Sequence, residues 1–228
     1  MKFDQVSIEN CEKATGIVVA IDVLRAFSTA AYMFGNGVKN IIIADTVENA
    51  ILLKKRFPSA ILMGEVDGLP ITGFEYSNSP TEFIGKNLSG YQFIQRTTAG
   101  TQGISRSINA KVILASSFCC ARATARFIER FPDDDVTFVI TGAKPNGEGD
   151  EDAACADYIE NLILGKNVDT DLYLQRVRSS IAAQKFIDPN RPDFPLSDLE
   201  YCLAIDKFDF AIQVERQKEI LVMKPIKA

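Results

Sequence analysis

The chain has 228 residues, enough to bury a sizeable core in one large domain or two small ones. Its 30 acidic and 25 basic residues give a formal net charge of −5, which argues against a general nucleic-acid or membrane-surface binder. No histidine is present, which excludes Ser-His-Asp and Cys-His hydrolases, phosphohistidine chemistry and His-ligated zinc, and leaves acid–base work to carboxylates, Cys, Tyr, Lys or a metal-bound water.

The first clear element is a strand over residues 17–21, which follows an edge strand over 2–8. Its continuous apolar, mostly β-branched run predicts burial on both faces, as in sheets covered by helices. Asp22 follows at the carboxyl end, where open α/β sheets bind ligands, and Arg25 and Ser28 lie just beyond it. These residues predict an anion site. The carboxylate would bind a cation, the guanidinium would bind an oxyanion, and the hydroxyl would cap the next helix. The alternative is that Asp22 only caps the next helix.

Two strand–helix units follow, which predicts parallel strands with right-handed crossovers. They comprise a helix over 28–36, a strand over 39–44, a helix over 47–56 and a strand over 61–63. The next stretch, 64–80, is dense in glycine and turn formers and has no helical period. Glu65 also stands at a strand end, and Asn78 and Ser79 form a turn before a proline. The alternative for this stretch is a plain surface loop.

A strand over 90–96 runs directly into the sequence TTAGTQG, residues 97–103. Threonines, small residues and two glycines between a strand and a helix place N–H groups and hydroxyls around an anion. The candidate contacts in this loop are Thr97, Thr98, Gly100 and Thr101. The loop matches neither GxxxxGK[ST] nor GxGxxG, so a nucleotide-binding fold is not supported.

Two further strands, over 110–115 and 135–141, also end in polar groups. Ser117 follows the first of them, before a helix over 119–130. A glycine-rich loop after the second delivers four acids to a helix start, namely Glu148, Asp150, Glu151 and Asp152. The helix dipole stabilises such acids by about 0.3–1 kcal/mol each, but four acids this close repel one another unless a cation or solvent compensates. Beside Asp22, they would supply the carboxylates for one hard divalent ion.

The C-terminal part predicts an amphipathic helix, a proline-rich connector, a second helix and a hairpin, over 171–185, 186–195, 196–204 and 211–223. No motif in this part indicates catalysis or ligand binding. We interpret it as an appendage that packs on the main sheet, covers the site or forms a contact between copies of the chain. We therefore assign 1–165 to an α/β core that carries the site, and 166–228 to helices and a hairpin packed on the same domain.

Six short motifs occur in an order that gives the chain a specific resemblance to a known family. They are IDVLRAFST (21–29), GE (64–65), GFEYSNSP (73–80), TTAGT (97–101), ASSF (115–118) and EDAAC (151–155). In this order they resemble the 2-phosphosulfolactate phosphatases, the ComB-like proteins. The resemblance implies a three-layer α/β/α fold with a largely parallel or mixed central sheet. It also implies a Mg²⁺-dependent phosphatase that converts 2-phosphosulfolactate to sulfolactate and phosphate on the route to coenzyme M.

The motif positions and the residue analysis together give one predicted site. The expected catalytic residues are Asp22, Arg25, Glu151 and Asp152. The expected ligands of Mg²⁺ are Asp22, Glu65, Glu151 and Asp152. The expected contacts with substrate are Ser28, Asn78, Ser79, Thr97, Thr98, Gly100, Thr101 and Ser117.

In the predicted mechanism Mg²⁺ bridges the phosphoryl group and Arg25 binds its other oxygens in a bidentate manner. The nucleophile is either a metal-activated water or the Asp22 carboxylate. The sequence departs from the family pattern at two positions, where Ala99 replaces Asn and Ser77 replaces Gly. These departures leave the identity of the substrate undecided. They also keep a second hypothesis, that the protein is a non-catalytic anion-binding or regulatory protein. A haloacid-dehalogenase-type phosphatase fits poorly, because it needs Asp-x-Asp and Leu24 occupies the second position.

The expected partner is a small anionic phosphate ester, with no nucleic acid and no membrane. No uninterrupted apolar segment approaches a membrane span, and the first residues lack the apolar core of a signal peptide, which predicts a cytoplasmic protein. The five cysteines follow no CxxC spacing, so neither a disulfide framework nor structural zinc is expected.

Overall fold

The apolar runs of the sequence form one ten-stranded sheet with helices packed on it, and the computed structural model describes all residues, 1–228. The strands are β1 (Phe3–Ser7), β2 (Ile17–Ile21), β3 (Asn40–Ala44), β4 (Ile61–Val66), β5 (Leu69–Pro70), β6 (Gln92–Arg96), β7 (Val112–Ser116), β8 (Val136–Ile140), β9 (Phe210–Gln217) and β10 (Ile220–Lys227). The helices are α1 (Ala26–Gly35), α2 (Val47–Arg56), α3 (Gly100–Arg106), α4 (Ala121–Ile128), α5 (Asp150–Ile163), α6 (Thr170–Ser179), α7 (Ile181–Ile187) and α8 (Leu196–Cys202).

The strand order in the sheet is β1-β8-β2-β7-β9-β10-β3-β6-β4-β5. Strands β1, β8, β2 and β7 are parallel to one another, and so are β3, β6 and β4. The β9–β10 hairpin pairs antiparallel with β7 on one side and with β3 on the other, so the two parallel groups run in opposite directions. The predicted fold class, a three-layer α/β/α fold with a mixed sheet, is confirmed.

Helices cover both faces of β2, which is buried at all five positions as its apolar run predicts. Ile17, Val19 and Ile21 pack into the cluster formed by α4 and α5, whereas Ala20 packs into the cluster formed by α1 and α3. Each fully buried Ile or Val side chain contributes roughly 1.5–3 kcal/mol of transfer free energy. The strand that precedes Asp22 is therefore held rigidly from both sides.

The predicted helix over 171–185 is wrong as a single element, because the chain breaks it into α6 and α7 at Ser180. Ser180 has extended backbone angles, and its Oγ accepts a hydrogen bond from the N–H of Ala183 at 3.2 Å. Serine stabilises a helix start more than a helix interior, so it begins a new helix here. Helix α7 then continues to Ile187, into the segment predicted as a connector.

The long stretch after β4 contains a small antiparallel hairpin, in which Val66 pairs with Leu69. This hairpin gives part of the long connection regular structure. No helix is both long enough and apolar enough to cross a membrane.

Candidate active site

A pocket of about 210 Å³ lies where the carboxyl ends of β2, β4, β6 and β8 meet. Six of the predicted site residues line it, namely Asp22, Arg25, Glu65, Asn78, Thr98 and Glu151. The pocket is smaller than the roughly 300–1,000 Å³ typical of sites for drug-sized ligands. Its volume fits one compact ligand.

Strands from both parallel groups contribute to this pocket, although the groups run in opposite directions along the sheet. Sheets twist by about 20–25° from strand to strand, and this twist accumulates over the steps from β2 to β6. The ends of β6 and β2 meet, since a Cβ placed on Gly100, just beyond β6, would lie only 2.8 Å from Oδ2 of Asp22.

Asp22 is buried, and two helix N-termini face its carboxylate. Its Oδ1 accepts a hydrogen bond from the N–H of Ala26 at 2.9 Å, at the start of α1. The N–H of Gly100, at the start of α3, points to the same carboxylate. Burial, reinforced by the nearby charges of Glu65 and Glu151, nevertheless raises the pKa of Asp22 to about 7. Asp22 can therefore hold or release a proton near neutral pH.

The structure corrects the predicted role of the loop over 97–101, because most of its polar groups bond within the protein. The N–H of Thr97 donates to Oγ1 of Thr101 at 3.1 Å, and the N–H of Thr101 donates to Oγ1 of Thr97 at 3.0 Å. Gly100 faces Asp22, and only Thr98 and Ala99 of this loop line the pocket. The loop therefore cradles the carboxylate of Asp22 rather than a free anion.

Replacement of Gly100 by alanine tests this packing. We expect Gly100→Ala to destabilise the protein by about 1–3 kcal/mol, because its Cβ would meet the Ala26 Cβ and Asp22 Oδ2 at 2.8 Å. Urea denaturation measures the change. Ser105→Ala on the same helix is the control and should alter the free energy of unfolding by less than about 0.5 kcal/mol. A Gly100→Ala variant as stable as the parent would contradict the close approach of α3 to Asp22.

Glu151 and Asp152, adjacent at the start of α5, have different environments. Glu151 lines the pocket, burial raises its pKa, and its buried Oε2 has no hydrogen-bond partner. Asp152 lies behind the pocket wall, where its Oδ1 accepts from the N–H of Val23 and its Oδ2 from the N–H of Gly142, both at 2.8 Å. Asp152, predicted as a catalytic residue and metal ligand, therefore does not line the pocket, and it fastens the loop after β2 to the loop after β8.

Glu65 lines the pocket, but its carboxylate also holds two neighbouring loops together. Its Oε1 accepts from the N–H of Thr98, and its Oε2 accepts from the N–H of Gly68, both at 2.5 Å. Oε2 also accepts from the hydroxyl of Thr98 at 3.1 Å. Because both oxygens are occupied, Glu65 is less free than Glu151 to bind a cation.

Arg25 lines the pocket, but most of its guanidinium is committed to the protein. Its Nη1 donates to Oδ2 of Asp198 at 2.7 Å and to the carbonyl of Asp193 at 2.9 Å, and its Nη2 donates to the carbonyl of Gly68 at 2.9 Å. The rings of Phe186 and Phe194 lie 5.4 and 4.9 Å from the guanidinium carbon. Three of its five N–H donors are used, so the guanidinium is not entirely free to bind phosphoryl oxygens in the predicted bidentate manner.

Three predicted substrate hydroxyls do not reach the pocket, which is a further correction. Ser28 Oγ donates to the carbonyl of Val23 at 2.8 Å, and Ser79 Oγ donates to Oδ1 of Asp198 at 2.7 Å. Ser117 Oγ accepts from the N–H of Cys119 at 3.3 Å and caps a short 3₁₀ turn. Serine after a strand signals a cap as readily as a ligand contact, and here the cap is what forms.

Sequence reasoning missed two lysines that line the pocket, Lys144 and Lys185. Lys144 lies in the glycine-rich loop after β8, and its Nζ is 2.6 Å from Oε2 of Glu148. The position of Lys144 just after a strand end could have identified it. Lys185 lies on α7, in the part of the chain that shows no chemical pattern, so no sequence signal pointed to it.

The pocket holds more acid than base. Five carboxylates line it, from Asp22, Glu65, Asp67, Glu148 and Glu151, against three cations, from Arg25, Lys144 and Lys185. No three His, Cys, Asp or Glu side chains converge tightly enough to form a metal site by themselves. A divalent cation here would take one or two carboxylates and complete its shell with water or ligand oxygens, as Mg²⁺ commonly does. The unpartnered Oε2 of Glu151 fits that requirement.

The fold and the pocket define a three-layer α/β/α protein with an acid-rich site for one compact ligand at its strand ends. The protein-family model described as 2-phosphosulpholactate phosphatase matches residues 4–217. The chain belongs to this family.

Named relatives agree with this assignment. A protein of Bacillus subtilis named "Probable 2-phosphosulfolactate phosphatase" is 36% identical over 205 residues, covering 90% of this chain and 89% of the relative. A protein of the same name from Caldicellulosiruptor saccharolyticus is 31% identical, with 84% and 86% covered. A third, from Clostridium acetobutylicum, is 36% identical, with 72% and 68% covered.

Proposed function

We propose that the protein is a Mg²⁺-dependent phosphatase that hydrolyses a small phosphorylated acid, 2-phosphosulfolactate, to sulfolactate and phosphate. The observation that carries this proposal is the pair Asp22 and Glu151, two buried carboxylates in one small pocket, of which Glu151 Oε2 has no partner. Family membership and the names of the relatives support the substrate. The proposal places the metal on Asp22 and Glu151, because Asp152 does not line the pocket and both carboxylate oxygens of Glu65 accept hydrogen bonds from neighbouring loops, whereas Oε2 of Glu151 accepts none.

Asp22 and Glu151 are the residues that would hold Mg²⁺. When bound, the ion neutralises the negative oxygens of a phosphoryl group, which is the main requirement of phosphoryl transfer. The excess of carboxylates among the lining residues supports a requirement for a bound cation, because without one these carboxylates would repel a phosphate ester from the pocket.

Two roles are proposed for Asp22: it acts either as the general base that takes a proton from water or as the nucleophile that attacks phosphorus. As a base, its Oδ2 accepts a proton from water while the water oxygen bonds to phosphorus, the ester P–O bond breaks and the leaving alkoxide takes up a proton. As a nucleophile, Oδ2 itself bonds to phosphorus, and water then releases phosphate. Stereochemistry at phosphorus separates these routes, because the first makes one in-line displacement and inverts a chiral phosphoryl group, whereas the second makes two displacements and retains its configuration.

The proposal is tested by phosphate release from a panel of phosphate esters, with added Mg²⁺ or with EDTA. We expect release from 2-phosphosulfolactate with Mg²⁺ and its loss with EDTA. Phosphate release at an unchanged rate in the presence of EDTA would contradict the role of the metal. Binding of the esters without release from any of them would instead favour a non-catalytic anion-binding protein. Of the two departures from the family pattern, Ala99 supports that alternative because it lines the pocket where the family has Asn. Ser77 does not, because it forms hydrogen bonds with Glu82 outside the pocket.

The buried carboxyl of Asp22 should make the stability of the metal-free protein fall as pH rises. Its pKa is about 7 in the folded protein against an ordinary 3.8, so the folded state binds the proton more tightly between these values. By linkage, the free energy of unfolding falls across that range, by as much as about 4 kcal/mol from this group.

The measurement is urea denaturation from pH 4.5 to 8 without metal, on the parent and on Asp22→Asn, where the difference between the two isolates this group. Added Mg²⁺ should raise the melting temperature more at pH 8 than at pH 5, because ions and protons compete for the same oxygens. Parallel pH profiles for the parent and the variant would contradict the raised pKa of Asp22.

We also propose a cytoplasmic location. All five cysteines are free and buried in the structure, and free thiols are typical of proteins in reducing compartments. Fractionation of cells that express a tagged protein tests this, and recovery in a secreted or periplasmic fraction would contradict it.

A further inference from the structure

Three cationic side chains line the pocket, and one of them has no carboxylate partner. Arg25 is paired with Asp198, which is fully buried, and Lys144 is paired with Glu148. Lys185 lines the same pocket, and its charge acts on the carboxylates of Glu148 and Glu151, but it forms no ion pair within 4 Å and donates no hydrogen bond. Its charge is therefore the one that remains available to a ligand.

The sequence and packing of α7 place Lys185 at the pocket. Ala182, Lys185 and Phe186 are three and four residues apart, so they share one face of the helix, and all three line the pocket. Ala183 and Phe186 are buried in the core and fix the helix. Lys185 itself is half-buried, so its aliphatic stem packs along the wall while the ammonium group reaches solvent and ligand.

Asp22 and Glu151 line the pocket, so a phosphoryl group is tolerated beside them only with a cation. A second acidic group on the same ligand has no such cation, and Glu148 and Glu151 would repel it unless another positive charge met it. Lys185 lies close enough for its charge to act on both of these carboxylates, so it can supply that positive charge where the repulsion would arise.

We propose that Lys185 is a specificity-determining residue that binds the second acidic group, a carboxylate or sulfonate, of the phosphate ester. The inference rests on the proposed function and deepens it by assigning the residue that distinguishes a phosphate ester with a second acidic group from one without. The ammonium group of Lys185 acts on ground-state binding, so its loss should raise KM and leave kcat nearly unchanged.

Two esters with the same two-carbon skeleton test this, phosphoglycolate with a carboxylate and ethyl phosphate without one. Lys185→Gln should raise KM for phosphoglycolate about 10- to 100-fold, the usual effect of losing a charged hydrogen bond, with kcat changed less than about twofold. Its kcat/KM for ethyl phosphate should stay within about twofold of the parent. The control is Lys55→Gln, which removes the charge of an exposed lysine on α2 and should alter neither ester.

Unchanged KM for phosphoglycolate, or an equal loss with both esters, would overturn the inference. The proposed function fails only if 2-phosphosulfolactate is not hydrolysed. If the parent hydrolyses neither phosphoglycolate nor ethyl phosphate, calorimetric binding of the same two esters decides about Lys185. Weaker binding of phosphoglycolate alone by the variant would support the inference. Equal weakening of both esters, unchanged binding, or no binding of phosphoglycolate to the parent would overturn it.

Discussion

Asp22→Asn is expected to lower kcat for phosphate release by at least about 10³-fold while the protein stays folded. The change removes a carboxyl whose pKa of about 7 lets it exchange a proton near neutral pH, and it removes one of the two proposed cation ligands. General acid–base catalysis alone is worth about 10²–10⁴-fold. The asparagine oxygen can still accept from the N–H of Ala26, so the start of α1 should remain in place. Circular dichroism and phosphate release on the same preparation measure both outcomes.

The matched control is Asp133→Asn, an exposed acid outside the pocket with no side-chain hydrogen bond. It should retain the parent's kcat within about twofold. An Asp22→Asn protein with more than a tenth of the parent's activity would exclude Asp22 as base or nucleophile. An unfolded variant would contradict the view that a neutral side chain is tolerated at this position.

Asp198→Ala is expected to cost about 3–5 kcal/mol of stability, because it leaves the buried guanidinium of Arg25 without its counter-charge. Asp198 also accepts hydrogen bonds from Ser79 Oγ at 2.7 Å and from Thr81 Oγ1 at 2.6 Å. One carboxylate therefore joins α8 to the 3₁₀ turn over Pro80–Phe83 and to the loop after β2. Urea denaturation monitored by tyrosine fluorescence measures the loss.

A double-mutant cycle identifies the cause of that loss. Arg25→Leu with Asp198→Ala should be less destabilised than the sum of the two single variants, since the double variant leaves no unpaired buried charge. Additive losses would show that the ion pair contributes no coupling. They would assign the cost of Asp198→Ala to the hydrogen bonds of Ser79 and Thr81 instead.

The sequence predicted where the pocket lies better than what each residue does in it. Asp22 and Glu65 could be found because a polar residue that ends a buried strand must lie at one edge of the sheet. Thr97 and Thr101 could not be assigned, because a hydroxyl near a helix start can bond to a ligand or to the helix itself, and only the folded geometry decides between them.

Long-range pairing explains the other differences. Arg25 and Asp198 are 173 residues apart, and no local pattern signals that they meet. Lys185 reaches the pocket only because the chain breaks at Ser180 and starts a new helix, whereas the periodicity of 171–185 predicted a single one. The C-terminal part, in which the sequence shows no chemistry, therefore forms one wall of the pocket.

The position of the β9–β10 hairpin has a consequence for biosynthesis. Strands β7 and β3 do not pair with each other, and the hairpin, whose residues are translated after all the other strands, fills the gap between them. A nascent chain whose residue 227 has not yet left the ribosome therefore carries two separate half-sheets, each with a bare edge. Unpaired edges of this kind recruit other chains, so a ribosome-bound intermediate should depend on chaperones until its last strands emerge.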